Sequence, residues 1–371
     1  MGIKGTGQEF ELGIIKATTW HTAIALDAGS KVKIEDSGPV LRLMQDLHPD
    51  RAMGHDWIRQ QEVGRINQEF SISGILRYEN AHWVPVVQLI GTETGSVSDS
   101  TYTHQVDMDE EIDGVFYTAA AIIRHSTLGS SELFEWPSIK AVSWEITTGD
   151  DGFMRYNIGG IADTFLDTGH SDLVNTTTTV GTTSTYDTEQ LRIPFGHCRI
   201  NINDQDGADF NDSGEGTDRV FPIGVSITAS RPMIRDFDAN RLAADSGTAD
   251  TYKTSEPVQD GMFEDIFLTL DFSETDSNDY IEELRGNTAK KAEVYFYSTA
   301  SRSLKFQFPN LLYEDIDVQP AGPGRIPQII TFRCAEASVA PTGMTGIVKP
   351  FRMTLVNSWS KQYDNHAAIT P

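Results

Sequence analysis

The chain has 371 residues, with 54 Asp and Glu against 29 Lys and Arg, giving a formal net charge of −25. At 39% hydrophobic and 9% aromatic residues it can fill a core, which excludes a wholly disordered chain. So negative a chain argues against a reader of nucleic-acid sequence, which needs a basic face, but not against a surface that nucleic acid slides past.

The start, Met1-Gly2-Ile3-Lys4-Gly5, has no apolar stretch and no cleavage pattern, so no signal peptide is expected. Gly2 to Gly7 follow no strand and predict no phosphate-binding loop. His48 and His55 stand seven residues apart, which fits no compact metal motif. Residues 69–77 read as a strand, followed by a short helix over 86–90 with Pro85 in its first turn and Gly91 at its end. Residues 83–90 form the most apolar run, far short of the roughly 20 residues a bilayer needs. Asp109, Glu110 and Glu111 read as solvated neighbours, and 115–124 as a strand. Trp144 and Ile146 lead into Gly149-Asp150-Asp151-Gly152, and Met154, Tyr156 and Ile158 resume the alternation, which predicts a hairpin. Residues 175–188, rich in Thr and Ser, read as a linker or long loop, with a boundary near residue 190.

Beyond the boundary, Ile223, Val225 and Ile227 alternate with small residues. So do Ile266, Leu268, Leu270 and Phe272, then Leu304, Phe306 and Phe308, then Ile330, Phe332 and Cys334, as in antiparallel strands with one wet face. Ser277 is placed to cap a helix over 278–285, with Tyr280, Ile281 and Leu284 on its buried side and Gly286 as its stop. Residues 204–218 and 243–254 read as exposed polar loops, and the tail after Trp359 as an arm. Strand, short helix, glycine turn and strand recur in that order in both halves, which suggests duplication of one β-rich unit.

Chemistry is sparse. Asp204, Asp206 and Asp209, with Asp212, Glu215 and Asp218 beyond, set oxygen ligands around Gly207 and make the one candidate site, for Ca²⁺ or another cation. The EF-hand pattern fails there, because neither the glycine nor a twelfth-position Glu falls in place, and a solvated acidic loop is the simpler reading. Cys198 and Cys334 read as two buried thiols. There is no Gly-x-Ser-x-Gly, no Walker loop and no Cys-x-x-Cys, so no enzyme, catalytic residue or cofactor is expected.

Several phrases in order resemble a tailed-virus major tail tube protein of the siphophage type. They are Glu69-Phe70-Ser71-Ile72-Ser73-Gly74 before Val86-Val87-Gln88-Leu89-Ile90-Gly91; Tyr102-Thr103-His104 before Val115-Phe116-Tyr117-Thr118; Pro137-Ser138-Ile139-Lys140 before Trp144-Glu145-Ile146-Thr147; Glu256-Pro257; and Pro350-Phe351-Arg352-Met353-Thr354-Leu355-Val356-Asn357. The resemblance implies a mainly β fold of two tandem tail-tube-type β-sandwich or barrel domains, each with a short flanking helix and long loops. These would span 61–190 and 191–371, the second with polar insertions, after an amino-terminal segment 1–60 that is an inter-ring arm or part of the first domain. It implies a structural subunit that stacks in rings around an acidic lumen, through which DNA passes from capsid to host. Two tube domains per chain imply three chains in a pseudo-sixfold ring; one implies six. The implied partners are further copies of the chain, tail terminator, baseplate or tip proteins, and the tape measure protein and genomic DNA in the lumen, with no membrane. The implied location is the virion tail, assembled in the host cytoplasm. A halophilic host is a further expectation from the charge. The alternative is a β-sandwich virion decoration or receptor- or glycan-binding protein, which would show an exposed aromatic patch and would not polymerise.

Overall fold

A computed structural model gives the structure of the chain and describes residues 10–34, 40–50, 60–98, 100–112, 114–125, 130–186, 191–211, 217–234, 256–260, 265–274, 279–318, 326–364 and 368–369. The first half carries β1 (Phe10–Ala17), β2 (Lys31–Val32), β3 (Val40–Asp50), β4 (Gln60–Ile75), α1 (Trp83–Ile90), β5 (Gly91–Ser98), β6 (Thr101–Met108), β7 (Phe116–His125), β8 (Ser130–Thr148), β9 (Met154–Ala162) and β10 (Leu166–Asp167). The second carries β11 (Cys198–Asp204), β12 (Arg219–Val220), β13 (Gly224–Ser230), β14 (Met233–Ile234), β15 (Val258–Gln259), β16 (Asp265–Phe272), α2 (Asp279–Gly286), β17 (Lys290–Thr299), β18 (Arg302–Val318), β19 (Gln328–Cys334) and β20 (Arg352–Asn357). The fold is mainly β and antiparallel, and 18 of these strands join one hydrogen-bonded system.

Two long bent strands organise it. The first part of β8 pairs with β7 and β10 in an outer sheet; its second part pairs with β9 and β13 in an inner one. β18 does the same, pairing first with β17 and β20, then with β19. Bulges let a strand turn such a corner. In β8 the ladder to β9 slips between Ala141 and Ser143; in β18 the ladder to β19 slips between Tyr313 and Asp315. The partners of the outer parts also slip at matching places, between Tyr117 and Ala119 and between Lys290 and Ala292. The correspondence runs on. β1 pairs with β2 and β7 as β11 pairs with β12 and β17. β3 pairs with β4 and β4 with β9, as β13 pairs with β16 and β16 with β19.

The core lies between the layers and runs unbroken through both halves, from Leu12, Phe70, Tyr117 and Trp136 to Trp144, Leu268, Phe306 and Phe332. The alternation expected at Ile266, Leu268 and Leu270, and at Ile330, Phe332 and Cys334, places every one of these side chains inside. Ile223 departs from its pattern: it lies ahead of β13 and is exposed, while Val225, Ile227 and Ala229 are buried.

The short elements also depart from expectation. Helix α1 begins at Trp83 and buries all eight residues. Gly91 follows it at φ 154°, where a Cβ would lie 2.5 Å from the backbone of Asp107 and of Asp109. Helix α2 runs through Gly286, and Asn287 at φ 51° takes the left-handed stop position expected of the glycine. Ser277, its expected cap, lies outside the described residues. Between α1 and β7 the first half inserts the β5–β6 hairpin, and β6 pairs with β20 of the second half. The expected linker at 175–188 instead packs into the fold over residues 175–186. Asn175 is buried and hydrogen-bonds Leu26, Ile24 and Glu135, and Val180 is buried in a one-turn π-helix. No helix among the described residues is long and apolar enough to cross a membrane.

Candidate assembly site

The inner strands form one sheet in the order β3–β4–β9–β8–β13–β16–β19–β18. Its centre is the β8–β13 pairing, where one half meets the other: Ile146 opposes Ile227, Glu145 opposes Thr228 and Trp144 opposes Ala229. Trp144, Ile146 and Ile227 are buried there. Thr148 Oγ1 accepts from the amide of Val225, and Lys140, 1% exposed, meets Glu256 at 2.7 Å.

Arg231, just after β13, locks this joint. It is 2% exposed. Its guanidinium donates to the carbonyls of Leu89 and Ile90 at 2.7 and 2.8 Å, and to those of Asp109 and Glu110. The last carbonyls of α1 have no intrahelical donor, and a planar, permanently charged fork suits several of them at once.

The sheet ends in two edges. Among the described residues β3 pairs only with β4, and residues 312–318 of β18 pair only with β19. These are the same two kinds of strand that pair at the centre, since β3 holds the place of β13 and β18 the place of β8. The buried Trp144 and Ile146 of the central joint correspond to Ile316 and Val318, which are only half-buried on the open edge.

Among the residues whose side chains are described, the face of this sheet turned away from the core carries Ser and Thr with six carboxylates, Glu69, Glu145, Asp265, Asp271, Asp315 and Asp317. Its arginine positions include Arg155, Arg333 and, opposite Glu69 on the edge strand, Arg42. Arg333 is held by Glu314 and Asp265.

The acidic loop does not converge on a cation site. Asp204 is paired with Lys290 at 2.7 Å, and Asp206 and Asp209 are exposed. The cation on the loop is the Lys291 ammonium, which donates to the carbonyls of Gly207, Ala208 and Thr342. Asp218 accepts from Asn203 and the amide of Asn211; Asp212 and Glu215 lie outside the described residues. No group of three His, Cys, Asp or Glu that could hold a metal occurs among the described residues. Cys198 and Cys334 are free thiols; Cys334 is buried as expected, Cys198 on the strand margin is only half-buried, and desolvation pushes both pKa values far up. Residues 2–7, His55 and 243–254 lie outside the described residues, and His48 lies on β3. Asp109 and Glu110, read as solvated, use their carbonyls on Arg231, and the Glu110 carboxylate pairs with Lys349.

Sequence reading missed a second polar lock, at the expected C-terminal arm. Glu93 and His104, both fully buried, meet at 2.6 Å. His104 Nε2 faces Asn357 Oδ1 and the carbonyl of Trp359. The Asn357 amide donates to the carbonyl of Tyr78, which fixes its oxygen toward the histidine, so Nε2 carries a proton. The other Glu93 oxygen accepts from the amides of Tyr363 and Asp364. The residues after Trp359 are therefore strapped over the β5–β6 hairpin. The one available signal was a single acid, Glu93, in the otherwise uncharged β5 and a histidine, His104, at an alternating position of β6.

No protein-family model matches the chain, and no curated protein matches it. Among solved structures, a chain from the cryo-EM structure of the anti-feeding prophage (AFP) baseplate, 6-fold symmetrised, is similar at 10% identity and a TM-score of 0.28. The match covers 46% of this chain and 98% of that one.

Proposed function

We propose that the chain is a structural subunit of a viral tail tube, without an enzymatic activity, and that three copies close a pseudo-sixfold ring around an acidic lumen. One observation carries this reading: the chain already contains, in β8–β13, the joint that its two open edges would make with further copies. Transferring the central register by the correspondence of the halves sets β18 of one copy against β3 of the next. Leu41 then opposes Val318, Arg42 opposes Asp317, and Leu43 opposes Ile316. Apolar positions meet apolar ones and an arginine meets an aspartate, as cross-strand pairing favours. An open sheet edge is a liability for a lone chain, and ring closure removes both. The outward face would line the lumen, where carboxylates repel the phosphates of passing DNA.

Electron microscopy of the purified chain at low and high salt tests this through ring symmetry. Threefold rings with an open centre are expected. Asp317→Arg should abolish them by setting two arginines face to face, and adding Arg42→Asp should restore them. A monodisperse monomer at both salts, or rings indifferent to Asp317→Arg, would sink the reading. Sixfold rings would assign one tube unit per chain instead. A monomer that binds glycan would favour the receptor-binding alternative.

A further inference from the structure

Two features of unlike charge lie at opposite ends of the sandwich. At one end lies an open cleft of about 420 Å³, lined by Lys33, Arg77, Arg192, His197, Phe153 and Ser298 among others. Among the described residues of its lining there is no Asp or Glu, in a chain whose acids outnumber its bases 54 to 29. Arg77 is 2% exposed at the end of β4, and Arg192 lies over the Phe153 ring at 5.3 Å. The cleft is thus a fixed cationic concavity rather than a fringe of mobile lysines.

The acidic loop lies at the other end. His197 of the cleft immediately precedes β11, and Asp204 of the loop ends it. The neighbouring β17 runs the opposite way, from Lys290 at the loop to Ser298 at the cleft. Seven residues of strand separate the two features, about 23 Å. The loop is held rigidly by Lys290 and Lys291, so its exposed carboxylates, Asp206 and Asp209, project from a built platform. Gly343 at φ 82° makes room for Asp209: a Cβ there would lie 1.9 Å from its Oδ1.

We propose that the cleft is the seat for the acidic loop of a second copy of this chain, joined head to tail. Translation of one copy along the strand direction brings a negative platform to a positive concavity, and the two signs match. This inference rests on the ring reading, in which it becomes the contact between stacked rings. Exposed ion pairs of this kind are screened by salt, so stacking should weaken as ionic strength rises while the hydrogen-bonded ring persists.

The test uses the full chain and charge reversals at exposed positions: Lys33→Glu with Arg192→Glu in the cleft, and Asp206→Lys, alone or with Asp209→Asn, in the loop. Closed rings counted by microscopy report on the ring reading; the fraction of rings found in stacks, with sedimentation, reports on the cleft. Each reversed chain alone should still form rings and should stack on the order of tenfold less at low salt, a loss of about 1.4 kcal/mol per contact. Mixing cleft-reversed with loop-reversed chains should restore stacks, alternating the two kinds. Rings that stack as before in either variant, or mixtures that fail to stack, would overturn the proposal while leaving the rings standing. Saturable binding of inorganic phosphate in the cleft with no effect on stacking would also overturn it, and would make the cleft a small-anion site.

Discussion

Arg231 and His82 are two buried polar residues with opposite accounts. The guanidinium of Arg231 satisfies four carbonyls at the end of α1 and after β6, so Arg231→Met should cost on the order of 3 kcal/mol or more. Arg231→Lys should recover only part of this, because a point charge cannot span the fork. Denaturant unfolding of the dissociated chain measures it, and an unchanged midpoint would count against the lock. His82 is fully buried, stacked on Tyr156 at 4.5 Å, and neither ring nitrogen has a hydrogen-bond partner among the described residues. Burial first, and the charge of Arg77 second, hold its pKa well below 6.5. The unfolded chain takes up a proton near pH 6.5 and the folded chain does not. Stability should therefore be full above that pH and fall below it, by up to about 1.4 kcal/mol per pH unit. His82→Phe should remove that part of the slope in urea titrations at pH 7 and 5.5; identical slopes in both proteins would contradict it.

Secondary-structure elements divide into those that repeat and those that tie the repeats together. The bent strands β8 and β18 repeat, with bulges at matching positions, because each must turn one corner between layers. The β5–β6 hairpin does not repeat. It reaches from the first half to β20 and is covered by the C-terminal strap through Glu93. Glu93→Ala would leave His104 Nδ1 and two backbone amides without a partner in the core, and the strap should detach. Limited proteolysis should then cut near residue 361 well before the rest of the chain. Equal protection in the variant would show that the strap is held by Tyr363 and Ile369 packing instead.

In the whole molecule, the eight-stranded inner sheet matters through its outward face and its edges. If that face lines a lumen, replacing Glu145 and Asp271 by Lys should leave ring formation intact, since β8 and β16 lie away from the open edges. It should slow DNA ejection from particles and raise the affinity of empty tubes for duplex DNA, most at low salt. Unchanged ejection kinetics would remove the electrostatic argument. The edges distinguish the joints: Arg231 locks the one inside the chain, and the corresponding position at the proposed joint between copies is Gln45. Without that fork the outer joint should be the weaker and the more reversible one.

Local pattern carried the strands. The alternation of Ile266, Leu268 and Leu270 needs only a sheet with one wet face, and Gly152 at φ 78° sits in the turn where the hairpin was expected. Order along the chain also exposed the recurrence of strand, helix and strand, since topology is inherited in sequence order even where residue identity is not. Partner choice was not legible. Whether β8 pairs with β13, or β6 with β20, depends on backbone hydrogen bonds between segments tens to hundreds of residues apart, and any half-apolar strand offers the same donors and acceptors. The acidic loop shows the same limit for charge. Its composition left a bound cation as a candidate beside the simpler reading of a solvated loop, and only the fold brought in Lys291, 84 residues from Gly207, as the cation that the loop carbonyls hold. The cleft of Lys33, Arg77 and Arg192 has no sequence signature at all, because its three cations come from segments that meet only at the end of the folded sandwich.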